Sequence, residues 1–412
     1  MVVTRPEPMA GLARRTLWLL VVASTLSFMA MGCYAAILPG YVLHHLDLSS
    51  AAVGLAMGAT GFVAVVLRPL GGSWGDRYGR RPLTIVGSLV LALGSALLLG
   101  PGVLVLIVFA RVLTGAGDAL FTTAAMAWVV DVSRPERRAR DMSTIGMALW
   151  LGLALGPQWG VFAREQAGYD GVWLGATGLV LAAGVLVWLI GPPATPRRPQ
   201  PGASGFRIPR GAILPALAMV LICYGNGVFE AFGIVHMTGR GIAGGAGLGG
   251  AASVFTVVAV TTFLGRFAGG VLADKYSPRP VAIAGVLTIA ASYGVVAVSS
   301  SFLVAASGGA LLGVGLALIY PALALVVTRS VGASERGAGL GVFLASLDVT
   351  FGVGPLVGGL VVGATSTETA LFSGVAVALM SLPVVMAAGN PPVGQDPEEE
   401  LELAEERPPS PV

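Results

Sequence analysis

Long apolar stretches separated by short polar turns make up most of this 412-residue chain. A helix needs about 20 predominantly apolar residues to cross the hydrocarbon core of a bilayer. Twelve stretches reach roughly that length. We therefore predict an all-α membrane protein with twelve transmembrane helices, six in each half of the chain. The predicted spans lie near residues 17–39, 51–70, 83–100, 103–130, 143–163, 172–191, 212–235, 247–268, 280–298, 302–327, 339–362 and 370–388.

A Pro-rich, basic segment without apolar periodicity separates the sixth span from the seventh and is predicted to link the two halves. The tail after Asn390 mixes acidic residues with prolines, a composition typical of disorder. A short helix on a basic cytoplasmic face is the alternative for this tail. The predicted regions are a cytoplasmic N-terminus (1–16), an N-terminal six-helix bundle (17–191), a cytoplasmic linker (192–211), a C-terminal six-helix bundle (212–388) and a disordered acidic tail (389–412).

The positive charges are distributed unequally between the two sides of the predicted spans. With both termini in the cytoplasm, nineteen Lys and Arg residues fall in cytoplasmic segments, two in outer loops and three within spans. Short cytoplasmic loops of membrane proteins carry an excess of Lys and Arg. The sequence therefore predicts a multi-pass protein of the cell membrane, either inner or plasma membrane, with both termini cytoplasmic.

The composition excludes several classes of protein. Hydrophobic residues make up 55% of the chain and charged residues 11%, far from the values of soluble domains. Three histidines and two cysteines offer few ligands for a transition metal. The sequence contains no phosphate-binding loop, nucleotide fingerprint or catalytic-triad spacing. We predict no enzymatic activity, no cofactor, no metal site and no nucleic-acid partner.

The turn after the second span is repeated, in weaker form, after the eighth span. Gly71–Pro82 reads GGSWGDRYGRRP, and 198 residues later Gly269–Pro280 reads GGVLADKYSPRP. Co-linear matches at one offset indicate an internal duplication. Two repeats of six spans have the same orientation in the membrane, so an axis along the membrane normal relates them. At the same offset, Arg68 matches Arg266, Gly115–Gly117 matches Gly313–Gly315, and Gly156–Gly160 matches Gly354–Gly358.

The first of these turns carries the signature G-x-x-x-D-R-x-G-R-R, and over nearly its whole length the chain resembles the major facilitator superfamily. The matching residues are Gly72, Asp76, Arg77, Gly79, Arg80 and Arg81. The fifth span resembles an antiporter motif of that family through Gly152, Gly156, Pro157 and Gly160. Val161 replaces the usual second glycine of that motif. The resemblance is to the drug:proton antiporter branch and implies two pseudo-symmetric six-helix bundles that rock around a midplane site.

The acidic residue of the first turn, Asp76, lies among arginines that can bond to it and to acidic residues of the next cytoplasmic loop. The resemblance implies that this network locks the halves together when the cavity faces outward. Simple positive-inside anchoring is the alternative for the arginines. The second turn departs from the family at Ser277 and Pro278, so we expect the first turn to dominate. The predicted gate comprises Gly72, Asp76, Arg77, Gly79, Arg80, Arg81, Asp131 and Asp274.

Charged residues within the spans are the sharper functional signal, because such charges are costly and usually face a polar cavity or a partner. Arg111 and Asp118 lie in the fourth span, Glu230 in the seventh and Asp348 in the eleventh. We predict proton coupling or substrate contact for these residues. A structural hydrogen bond is the alternative for Asp118 and Asp348, and a gate or interface role for Glu230. Arg111 and Asp118 stand about 10 Å apart along their helix, so no direct pair is expected.

Arg68 and Arg266 lie at the cytoplasmic ends of their spans, where the default expectation is that the guanidinium reaches out to the interface. Polar and aromatic residues on other spans are expected to line an amphipathic cavity rather than a strongly charged one, although each is singly more often a packing residue. The predicted lining residues are Tyr34, Tyr224, Asn226 and Tyr320, with Trp150 and Gln158 as further contributors.

These observations favour a secondary active transporter that works by alternating access. The fifth-span motif and the buried acids predict proton-coupled efflux of a small amphipathic or drug-like molecule. Uptake or facilitated diffusion of a nutrient, sugar or organic anion is the alternative, and a sensor that has kept the fold is a third. The expected partners are a small-molecule substrate, protons and the lipid bilayer, and the protein is expected to be a monomer.

Overall fold

The computed structural model describes residues 7–191, 208–332 and 335–388, without the side chains of 7–13, 135, 139 and 267–274. This part of the chain is helical throughout, which confirms the predicted all-α class. The predicted acidic tail, most of the linker and residues 1–6 lie outside it. The helices are α1 (Glu7–Gly40), α2 (Ser50–Tyr78), α3 (Arg80–Leu97), α4 (Leu104–Val132), α5 (Arg138–Leu189), α6 (Arg210–Gly239), α7 (Ala251–Tyr276), α8 (Pro278–Val298), α9 (Phe302–Ser330), α10 (Arg336–Ala364), α11 (Thr367–Met380) and α12 (Leu382–Ala387).

Ten segments of the described chain are long and apolar enough to cross a membrane, so the protein is a multi-pass membrane protein. One of them, within α5, is interrupted where Ala167 (φ −141°) and Gly168 (φ +66°) leave the helical conformation. Glycine tolerates this positive φ because it has no Cβ. A further apolar helix, Ala251–Arg266, is shorter. The number twelve stays a prediction, since it depends on counting α5 as two spans and on including α7.

The first helix is longer than the predicted first span. It begins at Glu7, ahead of the span predicted near 17–39, and has Pro8 in its first turn. Proline is tolerated in the first turn of a helix, where its missing N–H has no intrahelical acceptor. The second half begins at Arg210, close to the predicted end of the linker.

Each half is held together by close helix packing at small residues. In the first half α1 packs along α5, and α4 packs against both α2 and α3. In the second half α9 packs against α7 and α8, and α6 packs against α10. The N–H of Phe121 in α4 lies 2.5 Å from where a Cβ on Gly87 of α3 would stand. Membrane helices approach closely at such positions.

Two helix pairs form most of the seam between the halves: α2 with α10, and α5 with α7. Gly54, Gly58 and Gly61 of α2 lie against the backbone of α10, and a Cβ on Gly61 would stand 2.6 Å from the carbonyl carbon of Phe351. On the other side, the Thr256 hydroxyl of α7 donates to the Ala154 carbonyl of α5 at 2.7 Å. The halves therefore meet at backbone distance.

The two ends of the seam differ. We call the end that carries the Gly71–Pro82 turn the basic end and the opposite end the loop end. At the loop end, Ser50 donates to the Gly359 carbonyl at 2.9 Å, and Glu165 accepts from the Ala246 N–H at 2.8 Å. Between residues that the structure describes, no hydrogen bond or ion pair crosses the seam nearer to the basic end than Arg68. The halves are thus tied from the loop end to mid-helix.

Candidate functional site

Arg68 of α2 stands at the centre of a cluster that joins three helices. Its Nε donates to Oδ2 of Asp348 in α10 at 2.7 Å, across the seam between the halves. Its Nη2 lies 3.3 Å from Oδ2 of Asp118 in α4, and its Nη1 donates to the Thr122 hydroxyl at 2.8 Å. The side chain of Arg68 is 33% exposed, whereas those of Asp118 and Asp348 are 8% and 9% exposed.

This arrangement corrects the expectation that Arg68 reaches out to the membrane interface. Two buried carboxylates lie within reach of the guanidinium, and charge-assisted hydrogen bonds to them are stronger than the hydration available at a helix end. The sequence reasoning missed this role. The cause is that Asp348 is 280 residues away along the chain and approaches only through the packing of α2 on α10.

The cluster has an unbalanced charge. Two carboxylates, Asp118 and Asp348, share the single guanidinium of Arg68, so the ionised cluster carries one net negative charge. In addition, Oδ1 of Asp118 is buried and accepts no hydrogen bond from the described residues. A buried carboxylate oxygen without a donor is costly in its charged form. Binding one proton would neutralise the cluster. A proton on Asp118 would also remove the cost of burying this oxygen in its charged form.

Arg111 of α4 is buried separately from this cluster, at 3% exposure. Its guanidinium carbon lies 5.0 Å from the ring centre of Tyr34, and its Nη1 donates to the Thr114 hydroxyl at 3.3 Å. No ion pair joins it to Asp118 among the described residues, as the helix spacing predicts. Glu230 of α6, in the other half, is half-buried, and Arg111 is the charged group that acts on it electrostatically.

Arg266 of α7 lies between two aromatic rings. Its guanidinium carbon is 5.3 Å from the ring centre of Trp150 in α5 and 5.2 Å from that of Tyr320 in α9. Within the described chain no carboxylate lies within ion-pair distance of Arg266. Arg266 is exposed, and it also bridges the seam from the second half to the first. Cation–π contacts of this kind favour Arg over Lys.

The remaining predicted lining residues are divided between packing and the cavity. Tyr34 is fully buried and hydrogen-bonds to the Ser95 hydroxyl. Tyr224 hydrogen-bonds to Ser373 at 3.2 Å, within the second half, and Asn226 is half-buried on the same helix. The amphipathic cavity stays a prediction.

The predicted gate residues gather around Arg80 at the basic end. Its Nη2 hydrogen-bonds to Asp76, its Nε donates to Oδ2 of Asp131 at 3.1 Å, and its Nη1 donates to the Gly72 carbonyl at 3.3 Å. These partners all belong to the first half. The gate role itself stays a prediction.

The other basic residues of this turn have different neighbours. Arg81 donates to the Trp188 carbonyl at 2.8 Å, and the Arg77 guanidinium lies over the ring of Tyr78 at 5.3 Å. Gly79 has a φ of +97°, a value that residues with a Cβ rarely adopt, and it joins α2 to α3. The side chain of Asp274 lies outside the described part of the chain.

The glycine-rich motif of α5 faces α1. A Cβ on Gly156 would stand 2.8 Å from the Gly32 Cα, and one on Gly160 would stand 3.1 Å from the Cys33 Cα. Gly152 and Pro157 are buried in the same contact. These small residues allow α1 and α5 to approach at backbone distance.

Two helical bundles of similar plan meet at a seam that the Arg68–Asp348 ion pair crosses, an arrangement typical of a membrane transporter rather than an enzyme. The chain belongs to the Major Facilitator Superfamily, whose family model matches residues 20–253 and 236–411. This membership confirms the predicted superfamily and fold.

Similar proteins carry the same classification. An uncharacterized MFS-type transporter of Salmonella typhimurium is 28% identical over 357 residues, covering 83% of this chain and 89% of that protein. The uncharacterized MFS-type transporter YhhS of Escherichia coli K12 is 27% identical over 378 residues, covering 86% and 89%. The descriptions of these two relatives specify no substrate.

Solved structures share the fold. The nucleoside transporter NupG superposes with a TM-score of 0.75 at 14% identity, over 90% of this chain and 98% of that one. A bacterial homolog of the human lysosomal transporter Spinster, inward-facing and occupied, gives 0.73 at 15% identity, over 93% and 97%. The human organic anion transporter MFSD10 gives 0.65 at 17% identity, over 92% and 100%.

Proposed function

We propose that the protein is a proton-coupled secondary transporter that exports a small amphipathic molecule by alternating access. The observation that carries the proposal is the Arg68 cluster, in which carboxylates from both halves share one guanidinium at the seam. Since one proton neutralises this cluster, the protonation state and the contact between the halves depend on each other. Coupling of this kind is what a proton-driven transporter requires.

The proton step follows from the geometry around Asp118 and Asp348. A proton on either carboxylate weakens its bond to Arg68, because a charge-assisted hydrogen bond is replaced by a neutral one. If Asp348 is protonated, the tie across the seam weakens; if Asp118 is protonated, Arg68 is held by Asp348 alone. Asp118 is the preferred proton acceptor, since its second oxygen has no hydrogen-bond donor among the described residues.

The direction of opening follows from the charge distribution. The basic end is assigned to the cytoplasm because Lys and Arg accumulate there. The hydrogen bonds of Ser50, Gln158 and Glu165 across the loop end support a state whose substrate path leads to the cytoplasm. Substrate would enter the cavity from this side and leave after the loop end opens.

Export is favoured by the α5 motif, which resembles that of antiporters. Uptake or cotransport of an organic anion is the second candidate, and one observation favours it: the cation of Arg266 has no carboxylate partner in the described chain. Among the proteins of similar fold, one is a nucleoside transporter and another an organic anion transporter.

Everted membrane vesicles test proton coupling directly. A respiration-driven acidic interior is followed with acridine orange, and ethidium, tetraphenylphosphonium and 2-naphthoate are added in turn. We expect at least one probe to dissipate the gradient in vesicles with the wild-type protein but not with Asp118→Asn. The matched control is Glu368→Gln, which removes an exposed carboxylate paired with Arg240 inside the second half.

The direction of the pH change separates export by exchange from cotransport. Exchange moves protons out of the vesicle as the probe enters, whereas cotransport moves both in one direction. Probe flux that continues at the same rate after the gradient is collapsed with a protonophore would refute coupling. Gradient dissipation that survives Asp118→Asn would remove Asp118 from the mechanism.

A further inference from the structure

Arg68 and Arg266 are equivalent positions in the two halves of the duplication, and so are the residues that contact them. Arg266 follows Arg68 by 198 residues, and the same offset relates Trp150 to Asp348 and Thr122 to Tyr320. In both copies the arginine contacts these two positions: Arg68 contacts 348 and 122, and Arg266 contacts 150 and 320. In both copies one of the contacts crosses the seam. The chain therefore contains the same arginine site twice.

The two copies of the arginine site differ in whether they contain acidic residues. The first copy supplies carboxylates from Asp348 and Asp118. In the second copy the equivalent positions carry Trp150 and Leu316, so the guanidinium of Arg266 meets aromatic rings and no described carboxylate. The first site is negative overall and accepts a proton, whereas the second site is positive overall. A cation in this position attracts an anion that the chain itself does not supply.

A second donor lies at the same place. The indole N–H of Trp150 is buried and donates no hydrogen bond to the described residues. Arg266 likewise donates none in the described chain, since its contacts there are with the faces of the Trp150 and Tyr320 rings. Buried donors are normally partnered. Here the buried indole N–H has no acceptor in the described chain, and the exposed guanidinium beside it has none either.

We propose that Arg266, Trp150 and Tyr320 bind the anionic group of a planar aromatic organic anion, which is the substrate or part of it. This rests on the proposed transport function and names its substrate class. The ligand carboxylate supplies the negative charge that Asp348 supplies beside Arg68. The rings cover the faces of the guanidinium, so its N–H edge binds the carboxylate in the bidentate geometry typical of arginine.

The aromatic requirement has its own basis. The rings of Trp150 and Tyr320 present apolar surface beside the cation, and aromatic pairs in offset or edge-to-face contact add affinity beyond simple burial. A flexible aliphatic acid would lose more conformational entropy on binding than a rigid planar one. The bound anion would touch α5 of the first half and α7 of the second, so occupancy would affect the seam.

Binding to the purified full-length protein tests the site independently of transport. The probe is 2-naphthoate, and its uncharged amide, 2-naphthamide, reports binding that does not need the anion. Affinity is measured from the ligand-dependent shift of thermal unfolding in detergent. We expect 2-naphthoate to bind wild type at least tenfold more tightly than 2-naphthamide, and Arg266→Gln to abolish this difference.

Two further variants separate the donors from the rings. Trp150→Phe keeps a ring but removes the indole N–H, and should weaken 2-naphthoate binding about fivefold, the value of one hydrogen bond. Tyr320→Phe keeps the ring that Arg266 contacts and should bind within twofold of wild type. Unliganded unfolding temperatures of the variants identify any that fail to fold, and Trp150→Phe then serves in place of Arg266→Gln.

The outcomes distinguish this inference from the proposed function. Equal affinity for naphthoate and naphthamide, or unchanged naphthoate affinity in both Arg266→Gln and Trp150→Phe, would overturn the anion site. Proton-linked flux of ethidium without any naphthoate binding would leave the proposed function in place and overturn the site. Binding that depends on Arg266 without proton-linked flux of any probe would support the site and refute proton-coupled transport.

Discussion

Replacing Asp348 by Asn should loosen the seam that Arg68 now bridges. Asparagine keeps the shape of the side chain and an oxygen that can accept from Nε of Arg68, so the 2.7 Å contact changes in charge rather than in geometry. A hydrogen bond to a charged group contributes about 1.5–3 kcal/mol and a neutral one about 0.5–1.5 kcal/mol. Because Arg68 is 33% exposed and partly screened by solvent, we take the lower end of the difference, about 1 kcal/mol.

A loss of about 1 kcal/mol changes the population ratio of two states about fivefold: the present state, with the loop end closed, and the state in which the loop end is open. Double electron–electron resonance can detect this change in populations as a change in the distance between two nitroxide labels. The labels are attached to Ser73→Cys in α2 and Gly337→Cys in α10, both exposed at the basic end. The two native cysteines are buried and need not react. We expect Asp348→Asn to increase the population with a short distance, because the present state loses its mid-seam tie.

Acidification that protonates Asp348 should act in the same direction on the wild-type protein, since it removes the charge of the carboxylate that bonds to Arg68 across the seam. In Asp348→Asn the response to acid should be smaller, because Asp118 alone is left to titrate in the cluster. Glu368→Gln is the control, as its partner Arg240 lies in the same half. An unchanged distance distribution in Asp348→Asn would mean that the Arg68 contact persists in both states, and the coupling argument would then fail.

Two other predictions concern packing and the gate. Gly156→Ala would place a Cβ 2.8 Å from the Gly32 Cα, so overpacking should cost about 1–3 kcal/mol and lower the unfolding temperature in detergent. Gly178→Ala in α5 has open space around the new Cβ and should leave the unfolding temperature unchanged. Equal unfolding temperatures for the two variants would exclude close packing as the cause. Asp76→Asn should reduce probe flux in vesicles more than Asp274→Asn, because the first turn keeps the full family motif, and the reverse order would contradict this assignment.

The fold could be predicted from the sequence because its determinants are local. Stretches of about 20 apolar residues specify membrane helices, and the offset of 198 residues between Arg68 and Arg266 specifies two equivalent halves. The contact of Asp76 with Arg80 is also local, since the two lie four residues apart at the join between two helices. The bend at Gly168 falls between two predicted spans, but no local signal shows that the helices join there without a loop.

The candidate site could be predicted only in part, because its contacts are long-range. Asp118 and Asp348 were recognisable as buried acids, but their shared partner was not, since Arg68 reaches Asp348 through the packing of α2 on α10. A signal was present in the repeat itself. Aligning the halves position by position pairs Asp348 with Trp150, which shows an acid in one copy and an aromatic residue in the other.

This difference between the copies suggests how one duplicated scaffold binds two unlike species. A proton compensates the negative charge around Arg68, and an anion would compensate the positive charge of Arg266. Neutralising only one site leaves the other charged in a medium where isolated charges are costly. A bound anion should therefore favour proton binding at Asp118 and Asp348, which is the linkage expected of cotransport. Export by exchange requires the opposite linkage, so for an anionic substrate the proposed function holds only where movement of the halves outweighs this attraction.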